Sequence, residues 1–135
     1  MPSALKILQV DDEEDILVIS KLALERYGGY AVTTCASSRE ALTVAAQVQP
    51  DLILLDLMMP GLDGHALSNA FTQDAALREV PIVFVTATIA PELRKALLDS
   101  GAAGMILKPY TPRELVAQVG AIAQAHPRLR SLAAV

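Results

Sequence analysis

Acidic, hydroxyl and basic residues lie at the ends of the short apolar runs of this chain. Asp11 and Asp12 follow LKILQV, Asp56 closes DLILLD, Thr86 closes PIVFVT, and Lys108 follows GMIL. If these runs are parallel strands, their carboxyl ends share one edge of a sheet, and the five side chains meet there. Three carboxylates, a hydroxyl and an ammonium in one place can bind a divalent cation and accept a phosphoryl group.

The three carboxylates also have a purely structural interpretation. The acidic run 11–15, DDEED, could favour a helix N-terminus, and Asp56 could cap the turn that PGLDG forms. Asp56, however, ends the most apolar run and is expected to lie partly buried beside Asp11 and Asp12. Carboxylates this close repel one another, and a bound cation relieves the repulsion. Because ligands that are all oxygen suit Mg²⁺, the residues favour a Mg²⁺ site over simple capping.

Apolar runs alternate along the chain with segments of helical spacing. The predicted strands are 5–10, 30–36, 51–56, 81–87 and 103–107. The predicted helices are 13–27, a segment from Ser37 or Ser38 to just before Pro50, a segment after loop 58–64 to about 73, 91–99, and 112 to about 125. This alternation predicts an α/β fold, in which five helices flank both faces of a five-stranded parallel sheet.

Length and composition restrict the possible classes of protein. The 135 residues fit one domain, with residues 1–125 as its body and 126–135 as a C-terminal tail. Hydrophobic residues make up 53% and the net charge is -4, with scattered basic residues, so direct nucleic-acid binding is not expected. There is one cysteine, and no apolar run approaches the roughly 18 residues of a membrane span. We therefore expect a cytoplasmic protein with no membrane partner.

The motifs VDDEED, LILLDLMMPGLDG, VTA and KPYTP occur in this order, and together they resemble one known family. Asp12, Asp56, Thr86 and Lys108 are separated by 44, 30 and 22 residues, which is typical of that family. The chain resembles the response-regulator receiver domains of two-component systems, and in particular the chemotaxis receiver, over about residues 4–125. The resemblance implies a flavodoxin-like, doubly wound sheet with strand order 2-1-3-4-5.

The resemblance also implies a metal site. Asp12, Asp56 and the backbone carbonyl of Met58 would bind Mg²⁺ directly, and Asp11 would act through a water molecule. This is the same cation that the oxygen ligands alone favour.

The resemblance implies a phosphoryl site as well. Asp56 would be the phosphoacceptor, Lys108 would pair with the phosphoryl group, and Thr86 would turn to donate a hydrogen bond to it. The phosphoryl group would come from a sensor histidine kinase, a phosphotransfer protein or a small phosphodonor. The signal would leave through protein–protein contact of the 91–125 face with a downstream effector, by a monomer or a phosphorylation-dependent dimer.

Some positions depart from the family pattern. Many receivers carry an aromatic residue three positions before the lysine, where this chain has Met105, so the usual coupling of threonine and aromatic ring is in doubt. In receivers, the side chains at the positions of Met58 and Thr88 control water attack on the phosphoryl group, and neither residue here can act as a base. We therefore predict a phosphorylated state that outlasts that of fast chemotaxis signalling. We interpret Tyr110 as an ordinary packing residue.

Three other functions are compatible with parts of the sequence. An aspartate-nucleophile phosphatase of the haloacid-dehalogenase type would need a second aspartate two residues after Asp56, where Met58 stands. A flavodoxin-like cofactor carrier would need a phosphate-binding loop after the first strand, which is acidic here. A pseudo-receiver, a phosphorylation-independent interaction module, is the remaining alternative. We therefore expect a phosphoacceptor with slow self-catalysed transfer and hydrolysis, and not a turnover enzyme.

Overall fold

The computed structural model describes residues 4–57, 64–87 and 90–133. Five strands and six helices lie in these ranges. The strands are β1 (Lys6–Val10), β2 (Ala31–Cys35), β3 (Leu52–Asp56), β4 (Ile82–Thr86) and β5 (Gly104–Leu107). The helices are α1 (Glu14–Gly28), α2 (Ala41–Val48), α3 (Gly64–Gln73), α4 (Pro91–Asp99), α5 (Pro112–Ala125) and α6 (Pro127–Ala133).

The five strands form one parallel sheet in the order β2-β1-β3-β4-β5. This strand order is the predicted one, and it confirms the flavodoxin-like, doubly wound fold. Every residue of β3 and β4 is buried, which explains why both strands are apolar up to their last residues, Asp56 and Thr86, and do not alternate. From β1 the chain first adds β2 on one side, and it then returns to add β3, β4 and β5 on the other side. The direction in which strands are added therefore reverses at β1. A ligand site is expected at the carboxyl ends of the strands beside this reversal.

Two apolar cores cover the two faces of the sheet. On one face, side chains of α2, α3 and α4 pack on the sheet, with Phe71 and Phe84 among the largest buried residues. On the other face, α1, α5 and α6 contribute Leu24, Leu115 and Leu129. Alternation along the strands divides the residues, since Leu8 belongs to the first core and its neighbour Ile7 to the second.

The number of helices differs from the prediction, which had five. Residues 127–133, assigned from sequence to a C-terminal tail, form the additional helix α6. Leu129 is fully buried and joins the core that contains Leu5 and Val119. Burial of a leucine side chain contributes about 1.5–3 kcal/mol, which exceeds what the exposed Arg128–Glu79 ion pair can add. The helix is therefore held mainly by Leu129.

No helix in the three described ranges has both the length and the apolar character needed to cross a membrane.

Candidate functional site

Alternation along three strands explains why three of the predicted site residues face the same side of the sheet. Leu54 of β3 and Ile106 of β5 belong to the core beneath α1 and α5. Because side chains alternate with a period of two, Asp56 and Lys108 point to that same side. Ile7 of β1 belongs to the same core, and Asp11, four residues later, points to the same side. The carboxyl edge of the sheet thus presents two carboxylates and an ammonium on one face.

Backbone contacts fix Asp11. Its N–H donates to the carbonyl of Cys35 at 3.1 Å, which ties the end of β1 to β2. Its Oδ1 accepts a hydrogen bond from the N–H of Glu13 at 2.9 Å, at the start of α1. Asp11 is only 1% exposed. The carboxylate is therefore held in one orientation at the strand-to-helix turn.

Asp56 is the last residue of β3, the central strand of the sheet. It ends β3 opposite Val85 of β4, and the next residue, Leu57, donates its N–H to the carbonyl of Val85 at 3.0 Å. Asp56 is 4% exposed, so its carboxylate lies in a largely water-excluded position. A charge in such a place needs a partner, because burying an isolated carboxylate is costly.

The segment between β5 and α5 positions Lys108. Its N–H donates to the carbonyl of Thr86 at 2.8 Å, and its peptide bond to Pro109 is cis. Thr111 then begins α5 with a capping box: its side chain accepts from the N–H of Glu114 at 3.1 Å, and its own N–H donates to Glu114 Oε1 at 3.3 Å. Lys108 is thus held between a strand end and a capped helix start.

Lys108 joins the carboxylates. Its Nζ lies 2.9 Å from Oδ2 of Asp11 and 3.2 Å from Oδ2 of Asp56, with Oε1 of Glu13 at 3.5 Å. Burial by itself lowers the pKa of the Lys108 ammonium, but hydrogen bonding and Coulombic attraction to Asp11, and then to Asp56, outweigh burial and raise that pKa above its ordinary value. Lys108 therefore stays charged at neutral pH and supplies the positive charge that the buried carboxylates need.

Asp11, Asp12 and Asp56 can share a cation. One carboxylate oxygen from each lies within 4.8 Å of the others, and Asp12 is exposed to solvent while its two partners are buried. Oxygen ligands with one side open to water suit Mg²⁺, which keeps several of its waters. Met58, the fourth predicted ligand, lies outside the described residues.

The oxygen ligands lead to a prediction about metal binding. Asp12→Asn should weaken Mg²⁺ binding about tenfold or more, because affinity for hard cations depends on the number of ligand charges. Asp15→Asn, which makes the same change at an exposed position in α1, should leave Mg²⁺ binding unchanged. Isothermal titration calorimetry with MgCl₂ measures both variants. Equal Mg²⁺ affinities for the two variants would contradict the assignment of Asp12.

Thr86 and Met105 lie where the strand pattern places them. Thr86 ends β4, is buried, and accepts from Lys108 through its backbone carbonyl. Met105 is the register partner of Phe84 and is partly buried against the core beneath α2, α3 and α4. A flexible, unbranched side chain thus fills the position that is aromatic in many receivers. Thr88, the other departure near this edge, lies outside the described residues.

Tyr110 packs against the core beneath α1 and α5, as predicted, but its hydroxyl also makes two contacts that the sequence does not predict. Its hydroxyl lies 3.2 Å from Nε2 of Gln9 and 3.0 Å from Oγ of Ser20. A signal for this contact exists, since Gln9 is a polar residue inside the apolar run LKILQV and Ser20 occupies a core-facing position of α1. Buried polar groups of this kind are normally hydrogen-bonded.

Comparison with known proteins agrees with this arrangement. A family model described as the response regulator receiver domain matches residues 7–120. The chain is 43% identical to PhoP of Bacillus subtilis, an alkaline phosphatase synthesis transcriptional regulatory protein, over 118 residues that cover 87% of this chain and 48% of PhoP. It is 42% identical to the transcriptional regulatory protein BaeR of Escherichia coli over 119 residues, covering 87% of this chain and 47% of BaeR. The chain spans about half the length of these curated relatives.

A solved structure extends the likeness to the whole fold. The chemotaxis response regulator CheY4 of Vibrio cholerae superimposes with a TM-score of 0.81 at 30% sequence identity, covering 89% of this chain and 99% of CheY4. The resemblance drawn from VDDEED, LILLDLMMPGLDG, VTA and KPYTP is confirmed. With its strand order, its acidic edge and its lysine at the end of β5, the chain belongs to the response regulator receiver domain family.

Proposed function

We propose that this receiver domain is a phosphorylation-dependent signalling switch that accepts a phosphoryl group on Asp56. The observation that carries the proposal is the pair of contacts from Lys108 Nζ to Asp11 and Asp56, at 2.9 and 3.2 Å, in a largely buried site. Phosphoryl transfer requires alignment and neutralisation of charge more than covalent chemistry by the protein. A fixed ammonium beside a fixed carboxylate supplies both.

Asp11, Asp12 and Asp56 would hold Mg²⁺. The proximity of their carboxylate oxygens and the solvent exposure of Asp12 support this assignment. When bound, Mg²⁺ neutralises charge on the phosphoryl oxygens and orients the donor. Lys108 already offsets part of the negative charge in its absence.

The chain's own residues have distinct tasks in the proposed transfer. A carboxylate oxygen of Asp56 attacks the phosphorus of the donor, a P–O or P–N bond to the leaving group breaks, and an aspartyl phosphate forms. Lys108 then pairs with a phosphoryl oxygen in place of the Asp56 carboxylate oxygen. Thr86 donates its hydroxyl hydrogen to another phosphoryl oxygen and shifts the segment that follows β4. The added charge and acceptors on Asp56 favour this second arrangement of the switch.

The donor and the output partner are proteins in this proposal. A sensor histidine kinase or a phosphotransfer protein would supply the phosphoryl group, and small phosphodonors would replace it in vitro. The 91–125 face would carry the signal to an effector protein or to a second copy of the domain. Leu98 of α4 and Leu107 of β5 are exposed on this face, which supports a protein contact there. A cytoplasmic location and the lack of direct nucleic-acid binding remain predictions.

Intact-mass spectrometry after incubation with Mg²⁺ and acetyl phosphate tests the proposal. We expect a gain of one phosphoryl group that is absent with EDTA and absent in Asp56→Asn, while Asp51→Asn, a control near the opposite end of β3, gains it normally. If the parent protein gains nothing, the phosphorylation switch is rejected, and a phosphorylation-independent interaction module becomes the better explanation of the fold.

The lifetime of the phosphorylated protein is a separate prediction. Neither Met58 nor Thr88 can act as a base toward water, so we expect self-catalysed hydrolysis to take much longer than seconds. The measurement is the decay of the phosphorylated mass after acetyl phosphate is removed, in Mg²⁺ and without a phosphatase. Loss of the phosphoryl group within seconds would refute the prediction.

A further inference from the structure

A small, partly buried polar network lies between the sheet and α1. Gln9 of β1 and Ser20 of α1 are each only 1% exposed, and both contact the hydroxyl of Tyr110. The Gln9 amide donates through Nε2, and its Oε1 has no hydrogen-bond partner in the described part of the chain. Burying a carboxamide with one group unpaired costs free energy, so the network is a poor way to stabilise a core.

The network joins the same two segments that the ion pair joins. Gln9 precedes Asp11 by two residues, and Tyr110 follows Lys108 by two residues. The Gln9–Tyr110 hydrogen bond therefore runs alongside the contact between Lys108 and Asp11. Ser20 adds a third attachment point, on α1.

Packing alone does not fix Tyr110. Its side chain is only partly buried and lines a cleft of about 380 Å³, together with Ile16, Ile19 and Leu115. The ring thus meets open space on one side. The ring packs against the core beneath α1 and α5, and its two hydrogen bonds, which require defined distances and directions, fix the position of its hydroxyl.

We propose that Gln9, Ser20 and Tyr110 form a positioning network, which holds the segment after β5 against β1 and thereby places the Lys108 ammonium on Asp11 and Asp56. Tyr110 is a positioning residue in this scheme because it acts through Lys108. The kinetic consequence rests on the proposed function of Asp56 as phosphoacceptor. The placement of Lys108 itself is a property of the unphosphorylated protein and does not depend on that function.

The test replaces the whole network by apolar side chains of similar shape, in the variant Gln9→Leu/Ser20→Ala/Tyr110→Phe. Because all partners are removed together, no polar group is left orphaned, and the urea midpoint should stay close to that of the parent. The rate of phosphorylation by acetyl phosphate at saturating Mg²⁺ should fall about tenfold, as expected from a small misplacement of a charged group. The Mg²⁺ concentration for half-maximal rate should not change, since the carboxylates are untouched.

Nuclear magnetic resonance of ¹³Cε-labelled lysine gives a readout that needs no phosphorylation. The chain has four lysines, and the other three, Lys6, Lys21 and Lys95, are exposed. The Lys108 signal, assigned through Lys108→Arg, should stand apart from these three in the parent and move toward them in the triple variant. Tyr27→Phe makes the same aromatic change at a residue that is 74% exposed, and should alter neither readout.

The outcomes separate the two proposals. A triple variant with the parent's rate and the parent's Lys108 signal overturns the positioning network. A parent that takes up no phosphoryl group refutes the proposed function, while the Lys108 signal still decides about the network. If the triple variant does not fold, Ser20→Ala replaces it, because this substitution removes one hydrogen bond and keeps the other. We expect smaller changes of the phosphorylation rate and of the Lys108 signal, in the same directions. A parent-like Lys108 signal in that variant then counts against the proposal.

Discussion

Lys108→Met should slow phosphorylation of Asp56 by acetyl phosphate by about 100- to 1000-fold, the usual loss when a preorganised electrostatic group is removed from a reaction site. The ammonium lies 3.2 Å from Oδ2 of Asp56, and both groups are largely buried. Lys95→Met, at an exposed position of α4, is the matched control and should react at the parent's rate. Mass spectrometry at saturating Mg²⁺ follows both variants. A loss of less than about threefold in Lys108→Met would contradict the role of this lysine.

The same substitution should destabilise the protein in EDTA by about 3 kcal/mol, because it leaves the buried carboxylates of Asp11 and Asp56 without their counter-ion. Breaking a buried ion pair costs roughly 3–5 kcal/mol. The low end of this range applies because Asp11 keeps its hydrogen bond from the N–H of Glu13. Mg²⁺ should restore part of the loss. Urea unfolding followed by circular dichroism, with and without MgCl₂, measures these differences.

The dependence of this stability difference on pH follows from the raised pKa of Lys108. A group whose pKa is higher in the folded than in the unfolded state contributes stability that is fully present below the unfolded pKa, roughly 10.4 for lysine. The contribution is lost as the pH rises through the folded pKa. The difference between parent and Lys108→Met should therefore be constant from about pH 7 to about pH 9 and shrink only in strong alkali.

Leu129→Ala should lower the free energy of unfolding by about 3 kcal/mol, a typical cost of removing a buried leucine side chain. Leu129 is fully buried between α5, α6 and the sheet, whereas Leu132 of the same helix is 38% exposed. Leu132→Ala is thus a control with the same chemical change, and should cost less than about 1 kcal/mol. Urea unfolding of both variants decides the matter. Equal losses would mean that α6 is not anchored through Leu129.

The sequence was sufficient to predict the sheet because β3 and β4 are apolar up to a polar last residue, Asp56 in β3 and Thr86 in β4. Once parallel strands are assumed, Asp11, Asp56 and Lys108 must share an edge, and the alternation of side chains puts them on one face. Their proximity can therefore be predicted although they are far apart in the sequence. The resemblance added the strand order, which periodicity alone does not determine.

Two features could not be predicted for physical reasons. Helix α6 is only seven residues long, too short to be stable by itself, so it depends on the pocket that receives Leu129. That pocket exists only after α5 has packed on the sheet. The contact of Gln9 with Tyr110 joins residues 101 positions apart, and its geometry follows from the packing of three elements. A polar residue in an apolar run signals that a partner exists, but not which residue it is.

Helix α5 connects the carboxyl edge of the sheet to α6. Its first turn is fixed by the capping box of Thr111, three residues after Lys108, and its last turn leads directly into α6. At about 1.5 Å per residue its 14 residues form a rod about 21 Å long. Helix α5 therefore joins two places that are each held by specific contacts, the capped start beside Lys108 and the core that receives Leu129.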